Sequence, residues 1–273
     1  MAGQVRAVVI AGNGTNCERE VAFACRQAGA DVVDIVHIAE FLTGRALLAD
    51  YHFLNLAGGF LDGDDLGSAK AGANRFRHAP VEGGPSMAEQ LQTFVAEGKL
   101  VMGVCNGFQL MVKLGLLPAF DGELMQQRTT LTFNDSGRFE DRWCYLAVDP
   151  DSPCVYTRGL DCIYLPVRHG EGKFVPADDT VLGRVEDEHL ACLRYADADY
   201  RSTMEYPDNP NGSVNAIAGL CDPTGRLFGL MPHPEAYIHR THHPRWTREE
   251  LPEEGMGLLL YRNAIDFIRK NVL

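Results

Sequence analysis

Cys105 is the residue best placed to do covalent chemistry, and its neighbours say why. Leu100 to Val104 is an apolar run of strand length. Cys105 follows at once, between Gly103 and Gly107. From Asn106 onward, Phe108, Leu110, Met111, Leu114 and Leu117 recur at helical spacing, with Gly115 and Pro118 as stop signals. Strand, sharp turn and helix with a nucleophile at the turn is the logic of the nucleophile elbow, written here with a thiol. The helix turns the positive end of its dipole toward the sulfur. Most free cysteines are inert packing residues. Glycines two before and two after, with a strand behind and a helix ahead, set this one apart.

A sulfur nucleophile needs an imidazole to take up and return a proton, and the imidazole needs an orienting carboxylate. Arg226 to Glu235 reads RLFGLMPHPE, a strand followed by Pro232-His233-Pro234-Glu235. His233 and Glu235 are two apart at a strand end, with prolines fixing the backbone around them. A lone histidine is more often a surface or satisfied core residue, but this spacing favours a base and its orienter.

Gly-Val-Cys-Asn-Gly-Phe-Gln around Cys105, together with Met-Pro-His-Pro-Glu around His233, resembles the class I (triad-type) glutamine amidotransferases. Four further stretches are similar to one subfamily, the glutaminase components of phosphoribosylformylglycinamidine synthases. They are Gly12 to Cys17, Asn134 to Glu140, Pro166 to Gly172 and Asn209 to Ser213, so the resemblance runs nearly end to end. It implies glutamine amide hydrolysis through a thioester on Cys105, with His233 as acid and base and Glu235 as its orienter. It also implies an oxyanion hole made by the N–H groups of Gly59 and Asn106, with Gln109 as a wall of the glutamine pocket. The family often reads Tyr-Gly-Asp where this chain has Asp62-Gly63-Asp64.

No G-x-x-x-x-G-K-[ST] loop is present, so ATP-consuming amination is expected on another polypeptide. The resemblance implies that this partner is a large synthetase subunit carrying ATP and Mg²⁺, with a small accessory subunit as a further partner. The chain itself is expected to hold no cofactor and no metal. Two other readings stand beside this one: a free-standing Cys hydrolase on the same fold, and a non-catalytic regulatory subunit. The intact Cys-His-Glu set argues against the second.

Composition bounds these choices. The 273 residues are 45% hydrophobic and 23% charged, an ordinary globular balance. The net charge of −12 argues against nucleic-acid binding by phosphate neutralisation. Eight cysteines without a C-x-x-C pair suggest neither a disulfide scaffold nor a zinc ribbon, and fit a reducing cytoplasm. The opening MAGQVRAVVIAGNG has too short an apolar run for a signal peptide, and no run is long enough to span a membrane.

The elements that must position Cys105 and His233 follow from periodicity. Strand signals at Val5–Ile10, Asp31–Ile38 and His52–Leu56, with a helix over Cys17–Ala28, make a βαβ opening and hence a parallel sheet. Gly12-x-Gly14 lacks the third glycine of a dinucleotide loop, since position 17 is Cys17. A helix is expected around Leu66–Arg75, and another over Ser86–Glu97 with Ser86 and Glu89 as a capping box. Beyond Pro118, short β-type runs at Leu131–Phe133, Trp143–Val148, Ile163–Val167, Val181–Val185 and Leu190–Tyr195 predict antiparallel strands. Ser213–Leu220 and Arg226–Leu230 read as a hairpin. Gly255–Asn271 reads as a closing helix burying Met256, Leu259, Leu260, Ala264, Ile265 and Ile268. The expected class is α/β: a flavodoxin-like doubly wound, mostly parallel sheet with antiparallel strands added in the C-terminal half, in one domain over residues 1–273. His239, His242 and His243 with Glu249 and Glu250 read as a solvated loop rather than a metal site. Arg138, Arg142, Arg168 and His169 form a local basic set that could face a partner.

Overall fold

The computed structural model describes residues 3–273. Its parallel half begins where the βαβ signal lies. Strands β1 (Arg6–Ala11), β2 (Val32–His37), β3 (Phe53–Leu56) and β4 (Leu100–Val104) are joined by helices α1 (Glu18–Gln27), α2 (Ile38–Leu42), α3 (Lys70–His78) and α4 (Met87–Ala96). The helix expected around Leu66–Arg75 starts later, at Lys70, because Asp62–Ala69 is spent on turns held by the Asp64 carboxylate, which accepts from the Ala69 N–H at 3.1 Å. Ser86 and Glu89 do form the capping box of α4.

After α5 (Asn106–Leu114) the chain adds β5 (Thr129–Thr132), β6 (Glu140–Val148), β7 (Cys162–His169), β8 (Lys173–Pro176), α6 (Asp179–Asp187), β9 (Leu193–Ala196), β10 (Ile217–Cys221) and β11 (Leu227–Leu230), then α7 (Gly257–Asn271). The main sheet has nine strands in the order β2-β1-β3-β4-β11-β10-β9-β6-β7. From β2 to β11 neighbouring strands are parallel, and from β11 to β7 they are antiparallel. The parallel part has the flavodoxin-type order, with the chain reversing direction at β1. Right-handed crossovers therefore put α1 and α4 on opposite faces. α7 joins α1 on the first face, and α3 and α5 join α4 on the second. Strands β5 and β8 form a separate two-stranded sheet.

Two expectations are corrected here. Val181–Val185 is not a strand but the middle of α6, started by Asp178, whose carboxylate accepts from the Val181 N–H at 2.9 Å. On α7 it is Leu258, at 3% exposure, that is buried, while Leu259 lies on the half-covered flank. The core is continuous through both halves of the sheet: Val8, Leu54, Val101 and Phe228 are buried in the parallel strands, Leu193, Leu146 and Leu165 in the antiparallel ones. Among the described residues, no helix is long and apolar enough to cross a membrane.

Candidate functional site

Central strands β4 and β11 lie side by side and parallel, so their C-terminal ends open on the same edge of the sheet. In open α/β sheets, ligands bind in the crevice outside these strand ends. Cys105 directly follows β4 and His233 follows β11 by three residues, so the topology brings together residues remote in sequence.

Cys105 has φ 52° and ψ −107°, outside the common regions for a side-chain-bearing residue. That strained conformation is what the nucleophile elbow predicts. Its N–H donates to the Leu230 carbonyl at 2.8 Å, tying the turn to β11, and its Sγ lies 3.6 Å from the Arg168 carbonyl, to which the thiol donates. Gly107 lets α5 lie down on β3: a β-carbon there would meet the Leu56 carbonyl oxygen at 1.9 Å.

His233 is fixed from both sides. Its N–H donates to the Pro166 carbonyl at 2.8 Å, and its Nδ1 is 2.6 Å from Glu235 Oε1. His233 is 3% exposed and Glu235 2%. Burial alone would lower the imidazole pKa, but the adjacent negative charge of Glu235 outweighs it, helped by the neighbouring Cys105 and Cys17 sulfurs. The imidazole is held well above its ordinary range. Since a carboxylate only accepts, Nδ1 carries the hydrogen that Glu235 receives, and Nε2 is left for chemistry.

Gly59 follows β3, with φ 131°. A β-carbon there would meet the Gly14 carbonyl oxygen at 2.5 Å and the Asn16 nitrogen at 2.6 Å, so the position requires glycine. The loop Gly12–Cys17 splints this segment. The Asn16 and Cys17 N–H groups donate to the Gly58 carbonyl at 3.0 and 3.3 Å, and the Phe60 and Asp62 N–H groups to the Gly14 and Asn13 carbonyls at 2.7 and 2.8 Å. A stretch that resembles a dinucleotide loop in two glycines is thus used to hold another loop. Asn106 opens α5, and its side chain accepts from the Leu61 N–H at 3.0 Å and donates to Gln109 Oε1 at 2.9 Å. Gln109 in turn donates to the Glu171 carbonyl at 2.6 Å.

These residues surround one open cleft of about 280 Å³, lined by Cys105, His233, Gly59, Gln109, Cys17 and Glu171 among others. Phe60 and Phe139, 52% and 55% exposed, stand at its mouth. Cys105, His233, Glu235, Gly59, Asn106 and Gln109 are therefore brought together. Cys17 carried a motif but no assigned role in the sequence, and the structure places its Sγ 4.0 Å from His233 Nδ1. Burial raises its pKa against the opposing hydrogen bond to His233.

Two readings of charged clusters need correction. His169 is not part of an exposed basic set: it is 2% exposed, and burial, helped by the nearby positive charge of His233, lowers its pKa to about 3. The Arg138 and Arg142 guanidinium groups both donate to the buried Glu140 carboxylate and to the Tyr206 hydroxyl, so one of their two charges is offset within the chain. His243, expected in a solvated loop, is 4% exposed and packs its ring 5.6 Å from Trp143 and 5.5 Å from both Tyr164 and Tyr237.

Residues 4–268 match the family described as the CobB/CobQ-like glutamine amidotransferase domain. The chain is 41% identical over 269 residues to the phosphoribosylformylglycinamidine synthase subunit PurQ of Dehalococcoides mccartyi, covering 98% of this chain and 99% of the relative. It is 37% identical over 276 residues to the subunit of the same name from Methanococcus maripaludis, covering 97% and 99%. Among solved structures, PurLQS from Thermotoga maritima contains a chain matching with TM-score 0.69 and 26% identity, over 97% of this chain and 100% of that one. A glutamine amidotransferase from the same organism shares the fold, with TM-score 0.57 at 14% identity over 98% and 100% of the two chains.

Proposed function

The chain belongs to the CobB/CobQ-like glutamine amidotransferase family, and from that premise we propose that it is the glutaminase subunit of a phosphoribosylformylglycinamidine synthase. It hydrolyses L-glutamine to glutamate and ammonia as one domain spanning residues 1–273. The ammonia passes to a partner synthetase subunit that makes formylglycinamidine ribonucleotide in cytoplasmic de novo purine synthesis. ATP and Mg²⁺ belong to that partner, and a small accessory subunit completes the assembly. The observation that carries the reading is the cleft itself, where Cys105 on a strained turn faces an imidazole held by Glu235 at 2.6 Å.

The Cys105 sulfur gives its proton to His233 Nε2 and attacks the side-chain carbonyl carbon of glutamine. The oxygen becomes an oxyanion held by the Gly59 and Asn106 N–H groups, which the splinted loop and the start of α5 keep in place. As the C–N bond breaks, its electron pair goes to nitrogen, and His233 Nε2 supplies the proton that lets ammonia depart. The neutral imidazole then takes a proton from water, whose oxygen attacks the thioester and releases glutamate. Glu235 keeps His233 in the tautomer and orientation both steps require. Gln109 forms a wall of the glutamine pocket.

In a complex reconstituted with the synthetase subunit, Cys105→Ala should abolish synthesis from glutamine, because no thioester can form. The same complex given an ammonium salt should still make product. Loss of both activities would make Cys105 structural or shared with the amination site, and retention of both would remove it from the reaction.

A further inference from the structure

His169 stands in the same cleft as Cys105 and His233, in the Pro166–Gly172 stretch whose role the triad leaves unexplained. Its tautomer can be derived. Asn134 Nδ2 donates to the His169 carbonyl at 2.8 Å and to the Arg138 carbonyl at 3.0 Å, which fixes the amide so that Oδ1 is the atom facing His169. That oxygen accepts from the Gly172 N–H at 2.9 Å and lies 3.1 Å from His169 Nδ1. An amide oxygen cannot donate, so Nδ1 carries the hydrogen and Nε2 presents a lone pair. Nε2 is buried and has no hydrogen-bond partner. The ring has nowhere to turn, because Gly172 packs against it so closely that a β-carbon would lie 2.3 Å from Cε1.

An orphaned, buried acceptor of fixed orientation costs stability unless a ligand supplies a donor. His233 Nε2 is likewise buried without a partner. One of the two Nε2 atoms belongs to an imidazole that holds a proton, the other to one that refuses it. The carbonyl that faces the Cys105 sulfur, that of Arg168, is adjacent to His169 in the chain.

We propose that His169 Nε2 accepts an N–H of the glutamine carboxamide, and then of the ammonia that leaves it, making His169 the positioning residue for the leaving nitrogen. The inference rests on the glutaminase reading of the cleft. As the C–N bond breaks, nitrogen takes the bonding electron pair and one proton from His233, and one of its own hydrogens points at His169. Ammonia can serve as a nucleophile only with its lone pair free, and a histidine too weakly basic to hold a proton accepts from it without returning one as acid. A carboxylic acid or an ordinary imidazolium in this place would trap the product as ammonium.

The test compares two leaving groups on one acyl chain. Glutamine and glutamic acid γ-methyl ester form the same thioester, but only the amide offers N–H donors. His169→Phe and His169→Gln are assayed on both substrates, with the chain alone and with the synthetase subunit added. The expected result for His169→Phe is a loss of about ten- to hundredfold in kcat/KM for glutamine with the methyl ester little changed, and substantial recovery on glutamine in His169→Gln, whose carbonyl can replace the lone pair. Equal losses on both substrates, or no loss on glutamine, would overturn the proposal. If the phenylalanine variant fails to fold, His169→Leu takes its place: a fall of about tenfold or more on glutamine with the methyl ester near wild type supports the role, and a parallel fall of both rates, or no fall on glutamine, overturns it. A wild-type chain that releases no glutamate from glutamine even with the synthetase present would instead sink the glutaminase reading itself.

Discussion

Gly58 keeps open the space into which His233 reaches: a β-carbon there would lie 3.0 Å from the imidazole Cε1 and 3.5 Å from Cys105 Cβ. Nucleophile and base close on one bare α-carbon. The same point is 3.5 Å from Cys17 Sγ, so three side chains from three segments meet where no fourth fits. Gly58 carries no chemistry of its own, and its value is the gap.

Gly58→Ala should therefore act on rate more than on folding. The imidazole must retreat by a few tenths of an ångström, and its Glu235 hydrogen bond resists the move. Glutamine hydrolysis should fall by roughly ten- to hundredfold, since misplacement on this scale is costly in a positioned site. The melting temperature should move by no more than about 4 °C. Turnover close to wild type would show that His233 tolerates the displacement.

Glu235→Gln should shift a pH profile in a definite direction. The carboxylate is the chief group holding the His233 proton on, against burial. Without it the imidazole pKa falls, so the alkaline limb of kcat/KM for glutamine should move to lower pH. The loss at the optimum should stay smaller than that of His233→Ala, for which about 10⁴-fold or more is expected. Stability follows the same linkage: the raised folded pKa gives the native state a contribution fully present below the ordinary value of 6.5 and lost as pH rises through the elevated one. An alkaline limb unmoved by Glu235→Gln would show that another group sets the His233 proton affinity.

The local parts of this molecule were legible in its residues, and the parts made by contact were not. A strand, two glycines and a helix around Cys105 encode a turn within a dozen positions, and Ser86 with Glu89 encodes a helix start within four. Val181–Val185 misled because five residues are too short a window to establish a helical period, although Val181, Leu182 and Val185 fall at helical spacing, while the Asp178 cap that decides the matter lies outside them. His243 misled for a different reason. Its aromatic neighbours Trp143, Tyr164 and Tyr237 come from distant segments, and nothing beside it in the chain announces them. His169 looked basic by its company, and only the fold shows that it is buried and neutral.

Asn211 explains part of what the Asn209–Ser213 stretch is for. It is fully buried, donates to the Gly172 carbonyl at 2.9 Å, and accepts from the Ser213 N–H and hydroxyl at 3.0 and 2.7 Å. Asn211→Ala leaves several of these groups without partners in a dry interior. Denaturant unfolding should show a loss of about 2–4 kcal/mol. A loss below about 0.5 kcal/mol would mean that water or a local shift replaces the amide.

The strand order has a consequence for a chain still being made. β11 is the last in sequence of the strands described, yet it lies in the centre of the sheet, between β4 and β10. Cys17 and His233, which touch across the cleft, are 216 positions apart. Long-range pairings of this kind form late and slowly. A ribosome that has released the nucleophile, the elbow and the glycine loop has still not released the residue that makes them reactive. A copy that still lacks His233 is thus a harmless thiol on an open sheet, and glutamine is spared until that residue has emerged.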